Sequence, residues 1–300
     1  VRQLRGQGYK FVVSANSKTF NLLNERETFR YIKRIKPDVV FHCAAMVGGI
    51  GANSLYQYEF LMNNLVMQNN IIRACQETQS VKKFFFMGSS CIYPQDAEQP
   101  MSENLLFNTN IHESNRPYAL AKLTGVQACM SISRQEQRTF LPIIPCNIYG
   151  FKDAFQWEHS HVIPAIIRKI QKAKSEGTKS VELWGTGTPK REFIFSVNLA
   201  NILIELANSE LVDWTTAIKP LNIGSGEEAT ISLVAAIIAE SLEFEGEIVF
   251  NGEVGNGVER KVLDCSRLYS LMKKPSLTPL HAGIHYVVTH YLINESRNKK

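Results

Sequence analysis

Tyr118 and Lys122 stand four residues apart in a stretch whose apolar spacing predicts a helix, so their side chains share one face. An ammonium beside a phenol can lower its pKa and let the tyrosine act as an acid near neutral pH. Upstream, Ser89, Ser90 and Cys91 follow the predicted strand Lys83 to Met87. Open α/β sheets bind ligands beyond the carboxyl ends of their strands, which is where this Ser-Ser-Cys would stand. A Tyr-x-x-x-Lys spacing alone describes a surface tyrosine beside a solvated lysine equally well. The strand ending in Ser-Ser is what favours catalysis. Taken alone, Cys91 and the distant His161 read as a thiol packed in a core and a histidine at a helix entry, the commoner fates of such residues.

The elements that would position these residues alternate. Phe11 to Ser14, Val39 to Ala44, Phe84 to Met87 and Phe140 to Ile144 read as strands. Between them Asn24 to Lys36, with Phe29, Ile32 and Ile35 on one face, Tyr58 to Gln76, and Tyr118 to Gln135 after Pro117 read as helices. Alternation of this kind predicts a parallel, doubly wound α/β sheet over residues 1–150. Beyond Gly150 the pattern changes to Pro, Gly and Trp punctuation around Ile163 to Pro189, a helix over Val197 to Ala207, and short strands at Leu221 to Ile223 and Glu247 to Phe250. Residues 151–300 therefore read as a smaller α/β domain for a substrate, with some segments returning to the first.

Composition narrows the class. With 300 residues, 44% hydrophobic and 20% charged, the chain can bury a sizeable core. The formal charge of +5 is spread thinly, with a basic cluster only at Arg297, Lys299 and Lys300, so no nucleic-acid partner is implied, whereas a phosphate-bearing small substrate fits. The six cysteines lack C-x-x-C spacing, which argues against structural zinc and a disulfide framework and for reduced thiols in a cytoplasmic setting. No metal site is expected. No apolar run is long enough for a membrane span, and the missing initiating Met points to sequence upstream.

The chain resembles the GDP-L-fucose synthases, of the extended short-chain dehydrogenase/reductase superfamily. The likeness rests on Gly88-Ser89-Ser90-Cys91-Ile92-Tyr93-Pro94, Pro117-Tyr118-Ala119-Leu120-Ala121-Lys122, Asn147-Ile148-Tyr149-Gly150, Ser160-His161-Val162-Ile163-Pro164-Ala165 and the run Trp184 to Phe193, in order and at matching spacing. Ala44 to Ile50 and Asn222 to Gly226 extend it over nearly the whole chain. It implies a Rossmann-like fold and a homodimer joined by a four-helix interface of the two long helices. The activity it implies is epimerisation at C3 and C5 of GDP-4-keto-6-deoxy-D-mannose and NADPH-dependent reduction at C4. A related GDP-sugar reaction of the GDP-L-colitose type stays open beside it.

By the same resemblance Tyr118 gives a proton at the C4 oxygen, Ser89 hydrogen-bonds that oxygen, Lys122 holds the nicotinamide ribose, and Cys91 and His161 are base and acid of the epimerisations. Lys18, Ala44, Ala45, Gly88, Ser89, Ser90, Tyr118, Lys122, Pro145, Asn147, Ile148 and His161 would line the NADP site. Lys169, Trp184, Arg191 and Asn256 would surround the GDP-sugar, Arg191 as a forked donor for phosphate and Trp184 as a flat wall. Arg260 and Lys261 form a further cationic pair. Cys43, Cys75, Cys129, Cys146 and Cys265 are assigned to packing, and His42, His112, His159, His281, His285 and His290 to no role.

The sequence departs from the family in places. Its Gly-x-x-Gly-x-x-Gly turn, whose amides receive pyrophosphate, would precede Val1, because Val1 to Leu4 already resembles the helix after that turn. Gly48-Gly49-Ile50-Gly51 lacks the fingerprint spacing. Asn24 and Asn256 replace family carboxylates, and Phe195-Ser196-Val197-Asn198 replaces a His-Val-Asp-Asp, leaving Ser196 or Asn198 to cap a helix. A non-catalytic subunit with the same fold that has lost dinucleotide binding is the alternative to an active enzyme.

Overall fold

The computed structural model describes residues 1–107, 110–155, 160–252 and 257–298. The chain opens with α1 (Arg2–Gly6) and α2 (Glu25–Ile35). Helix α2 begins where Asn24 Oδ1 accepts the Glu27 N–H at 3.2 Å and stops where Lys36 turns left-handed at φ 49°. Glu25 and Glu27 in its first turn and Lys33 and Arg34 in its last suit the helix dipole. There follow β1 (Val39–His42), α3 (Ile50–Leu55), α4 (Gln57–Gln76), β2 (Lys83–Met87), α5 (Arg116–Glu136), β3 (Thr139–Pro145) and β4 (Asn147–Tyr149). The later chain supplies α6 (Val162–Glu176), β5 (Ser180–Leu183), β6 (Lys190–Phe195), α7 (Ser196–Asn208), α8 (Trp214–Ala217), β7 (Leu221–Ile223) and β8 (Glu228–Thr230). It ends with α9 (Ile231–Ser241), β9 (Glu247–Phe250), β10 (Arg260–Lys261), α10 (Ser266–Leu271) and α11 (Leu280–Asn298).

Strands β1, β2, β3 and β7 form a parallel sheet in that order, with Val39 opposite Lys83, Lys83 opposite Thr139 and Ile143 opposite Leu221. Parallel strands need crossover helices, which α4 and α5 provide while covering the sheet. Phe84, Phe85 and Phe86 are fully buried between the layers. Gly125 lets α5 approach: a Cβ there would stand 2.3 Å from the Phe86 ring. The Arg138 guanidinium ties the end of α4 to the sheet, donating to the Cys75, Thr78 and Val81 carbonyls at 3.0, 3.1 and 2.8 Å.

Strand β6 lies between β10 and β4 with β8 antiparallel beside it, and β5 pairs with β9. Tyr149, Ile163, Ile167, Phe193, Phe195, Val234, Ile238 and Ile284 make a second core against these strands. The first core also takes Leu199, Ile202, Leu221, Ile223, Leu263 and Leu268 from the later chain.

Several expectations need correction. Phe11 to Ser14 is not a strand, because strand propensity needs a hydrogen-bonded neighbour, which it lacks among the described residues; Phe11 is 99% exposed. The strand expected to reach Ala44 ends at His42, where its pairing with Phe86 ends. Neither Ser196 nor Asn198 caps α7: its N-cap is Phe195, with no side-chain bond, and Asn198 lies inside the helix, accepting from the Thr278 hydroxyl at 3.2 Å. Among the described residues no helix is long and apolar enough to cross a membrane, and no cluster of His, Cys, Asp and Glu could hold a metal ion.

Candidate active site

The site is built where β2 ends. Gly88 donates its N–H to the Ile143 carbonyl at 2.7 Å, and a Cβ on it would meet Ile144 Cδ1 at 2.7 Å, so the backbone passes β3 with room for glycine only. Ser89 is extended and caps the short 3-10 turn Ser90–Ile92, its Oγ accepting the Cys91 N–H at 3.4 Å. Helix α5, with Pro117 in its first turn, brings Tyr118 and then Lys122 over the same strand end. Lys122 is 3% exposed. Its Nζ donates to the Met87 carbonyl at 2.8 Å and lies 5.0 Å from the Phe86 ring centroid and 5.9 Å from that of Tyr118. Phe60 meets the Tyr118 ring edge-on at 6.2 Å.

Burial dominates the titration of this cluster. It pushes the Tyr118 phenol up, the Cys91 charge adds to that, and the Ser89 hydroxyl pulls the other way. It also pushes the Cys91 thiol up, against Lys261 first, then a hydrogen bond with Ser89, then Lys122. Ser89 is thus shared by Cys91 and Tyr118. Lys122 is lowered to about 8 by burial, with Cys91 and Cys43 opposing. The expected lowering of the Tyr118 phenol by Lys122 is not what the structure displays, because the ammonium points at Met87 and desolvation outweighs it. Cys43, assigned to packing, is exposed just beyond β1.

Strands β6 and β10 carry further cations. Lys261 stands opposite Arg191 in register. Its neighbour Arg260 points away and pairs with Glu228 at 2.7 and 2.5 Å, so the period-two alternation of a strand splits the expected Arg260 and Lys261 pair. Next to Arg191, Glu192 is fully buried; it accepts the N–H groups of Gly226 at 2.6 Å and Leu263 at 3.0 Å, joining the Gly224 to Gly226 turn and the chain after β10 to β6. Arg191 Nη1 donates to the Lys190 carbonyl at 2.8 Å and the Glu259 carbonyl at 3.4 Å.

The other candidates are distributed around this centre. Ala44 and Ala45 follow β1, Ser90 is buried in the 3-10 turn, and Pro145 ends β3. Asn147 Nδ2 donates to the Glu192 carbonyl at 3.0 Å, while Ile148 is exposed. His161 is the N-cap of α6 but makes no capping bond with its ring; it is exposed, and its charge opposes the rise that burial imposes on Asp153. Lys169 and Trp184 form their own patch, Lys169 Nζ lying 5.0 Å over the Trp184 ring and donating to the Glu182 carbonyl at 3.0 Å. Lys18 sits in an exposed turn, its N–H given to Asn16 Oδ1 at 2.9 Å. Asn256 and His159 lie outside the described residues. Sequence reasoning missed Glu192, although a carboxylate alternating with Arg191 and Phe193 on a strand was a usable signal.

Residues 1–215 match the NAD dependent epimerase/dehydratase family. The chain is 35% identical to the GDP-L-fucose synthase of Escherichia coli over 99% of its own length and 93% of that protein. It is 32% identical to the GDP-L-colitose synthase of Yersinia pseudotuberculosis, covering 98% of the chain and 93% of that enzyme. A solved GDP-mannoheptose C4 reductase from Campylobacter jejuni with NADP bound superposes with a TM-score of 0.86 at 32% identity, over 97% of this chain and 93% of that one.

Proposed function

The chain belongs to the NAD dependent epimerase/dehydratase family, and from that premise we propose that it converts GDP-4-keto-6-deoxy-D-mannose to GDP-L-fucose, epimerising C3 and C5 and reducing C4 with NADPH. The observation that carries the reading is the convergence of Ser89, Cys91, Tyr118 and Lys122 at the carboxyl end of β2.

NADPH, when bound, supplies the hydride for C4. The residues present fit its nicotinamide end: the Lys122 ammonium gives one N–H to Met87 and keeps two for ribose hydroxyls. Tyr118 donates its proton to the C4 oxygen as negative charge develops there, and its phenol, kept protonated by burial, is a donor throughout the neutral range. The Ser89 hydroxyl, between Tyr118 and Cys91, orients that oxygen. Cys91 as thiolate removes protons α to the ketone, and His161 returns a proton to the opposite face. Arg191 and Lys261 offer two cations to the diphosphate, while Trp184 with Lys169 walls the guanosine side.

Incubating the full-length protein with GDP-4-keto-6-deoxymannose and NADPH consumes reduced-nicotinamide absorbance, and Tyr118→Phe abolishes it. Absence of consumption by folded protein would overturn the reading in favour of a subunit that keeps the fold without turnover. Cys91→Ser loses solvent deuterium exchange at C3 and C5 yet still permits reduction, and His161→Asn slows inversion while leaving some exchange. The likeness to a GDP-L-colitose synthase favours one second reading, turnover of a 3-deoxy substrate in the same assay.

The long helices α4 and α5 pack on each other and keep Leu61, Met62, Leu65, Met67 and Leu120 partly uncovered, which supports a homodimer through a four-helix interface. Light scattering that finds only the 33.9 kDa monomer would remove that proposal. Six free cysteines suit a cytoplasmic setting.

A further inference from the structure

Cys91 sits in a turn whose own hydrogen bonds are long. The Cys91 N–H reaches Ser89 Oγ at 3.4 Å, the Ile92 N–H reaches the Ser89 carbonyl at 3.2 Å, and the Tyr93 N–H reaches the Ser90 carbonyl at 3.4 Å. All three lie at or beyond the far end of the usual range for N–H donors. Both flanks of the turn are held more tightly. On one, Gly88 donates to the Ile143 carbonyl at 2.7 Å. On the other, the Tyr93 hydroxyl donates to Asn222 Oδ1 at 2.7 Å, with Tyr93 2% exposed and Asn222 fully buried on β7. The Asn222 carboxamide is itself fixed: its Nδ2 donates to the Met101 carbonyl at 2.9 Å and the Asp264 carbonyl at 3.0 Å, and its backbone N–H goes to Glu103 Oε1 at 2.9 Å. With both Nδ2 hydrogens committed, the amide cannot turn, and Oδ1 is a rigid acceptor for Tyr93.

The two flanks serve different parts of the site. Ser89 directly follows the clamped Gly88, and Tyr118 and Lys122 come from α5, so the groups assigned to reduction keep their places without Tyr93. Cys91 stands two residues before Tyr93, in the loosely bonded middle of the turn. We propose that Tyr93, anchored on Asn222, is a positioning residue that holds Cys91 where it can take the sugar's α-proton, a role in the epimerisations and not in the reduction. Proton transfer from carbon tolerates little displacement, since a misplacement of about 1 Å can cost on the order of a hundredfold in rate. This role deepens the proposed function and rests on its reading of Cys91 as the base.

Tyr93→Phe removes one hydroxyl and keeps the ring in the core. The full-length variant is incubated in deuterium oxide with GDP-4-keto-6-deoxymannose and NADP in place of NADPH, and deuterium at C3 and C5 is followed by mass spectrometry. Hydride transfer is read separately, as NADPH consumption. Exchange in Tyr93→Phe falls about tenfold while NADPH consumption stays within about twofold of wild type, and the reduced product shifts towards unepimerised sugar. Retained consumption also shows that the variant is folded. Exchange at the wild-type rate in Tyr93→Phe would overturn the proposal. So would an equal fall in exchange and in NADPH consumption, which would mark a site loosened as a whole. Cys91→Ser, run alongside, separates the two readings: exchange intact in Cys91→Ser removes Cys91 as the base, whereas exchange lost there and kept in Tyr93→Phe removes the role of Tyr93 alone.

Discussion

Lys122 Nζ donates to the carbonyl oxygen of Met87 at 2.8 Å, so a buried ammonium fastens helix α5 to the end of the strand that carries Ser89. Burial lowers its pKa from 10.5 to about 8. Between those values the unfolded chain holds a proton that the folded chain has released, so this residue makes stability rise with pH from about 8 to 10.5 and costs on the order of 3 kcal/mol below that window. Urea unfolding at pH 7 to 10 should give a wild-type minus Lys122→Met difference that grows with pH. The same variant should lose NADPH consumption by a factor of about a hundred or more, so stability and activity separate.

His42 is buried on β1 with its ring stacked against Phe84 and Phe86, and burial lowers it to about 3. The unfolded histidine binds its proton near 6.5, so stability attributable to this residue is complete above that value and is lost as pH falls towards 3. Replacing it with Phe should shift the acid-unfolding midpoint downward, as followed by circular dichroism. An unshifted midpoint would mean that other groups govern acid unfolding.

Gly125→Ala sets two effects against each other. Alanine improves helix propensity by about 1 kcal/mol, but the new methyl group would stand 2.3 Å from the Phe86 ring at a packed interface, where overpacking costs about 1 to 3 kcal/mol. The steric term should win, with a lower thermal midpoint for Gly125→Ala and a much lower one for Gly125→Val. A rise in midpoint for the alanine variant would show that α5 can move away from β2.

Glu192→Ala should destabilise by on the order of 3 kcal/mol, because it orphans the buried Leu263 amide, releases the Gly226 amide and removes a carboxylate that fills the space beside Gly224. Glu192→Gln, which keeps one acceptor oxygen, should lose less. Guanidinium unfolding of both variants checks the order.

The alternating strands and helices up to Gly150 were readable because periods of 2 and 3.6 are local properties, and the caps of α2 and the Pro117 start of α5 are local chemistry. The same locality made Phe11 to Ser14 look like a strand, since propensity says nothing about whether a neighbour is there to pair with. Tyr118 and Lys122 were visible by helical spacing, and Ser89 to Cys91 by their place after a strand.

What the spacing could not reveal was the sign of the electrostatics. Whether Lys122 lowers the Tyr118 phenol depends on where its ammonium points, and that is decided by the Met87 carbonyl of a strand 35 residues away in sequence. Likewise Arg260 and Lys261 are adjacent in sequence and alike in charge, yet Arg260 pairs with Glu228 while Lys261 stands opposite Arg191 in register. The sequence alone determined which groups could do the chemistry. Only the tertiary structure decided which of them share a desolvated space, because burial and the approach of distant charges arise when strands pair and helices close over them.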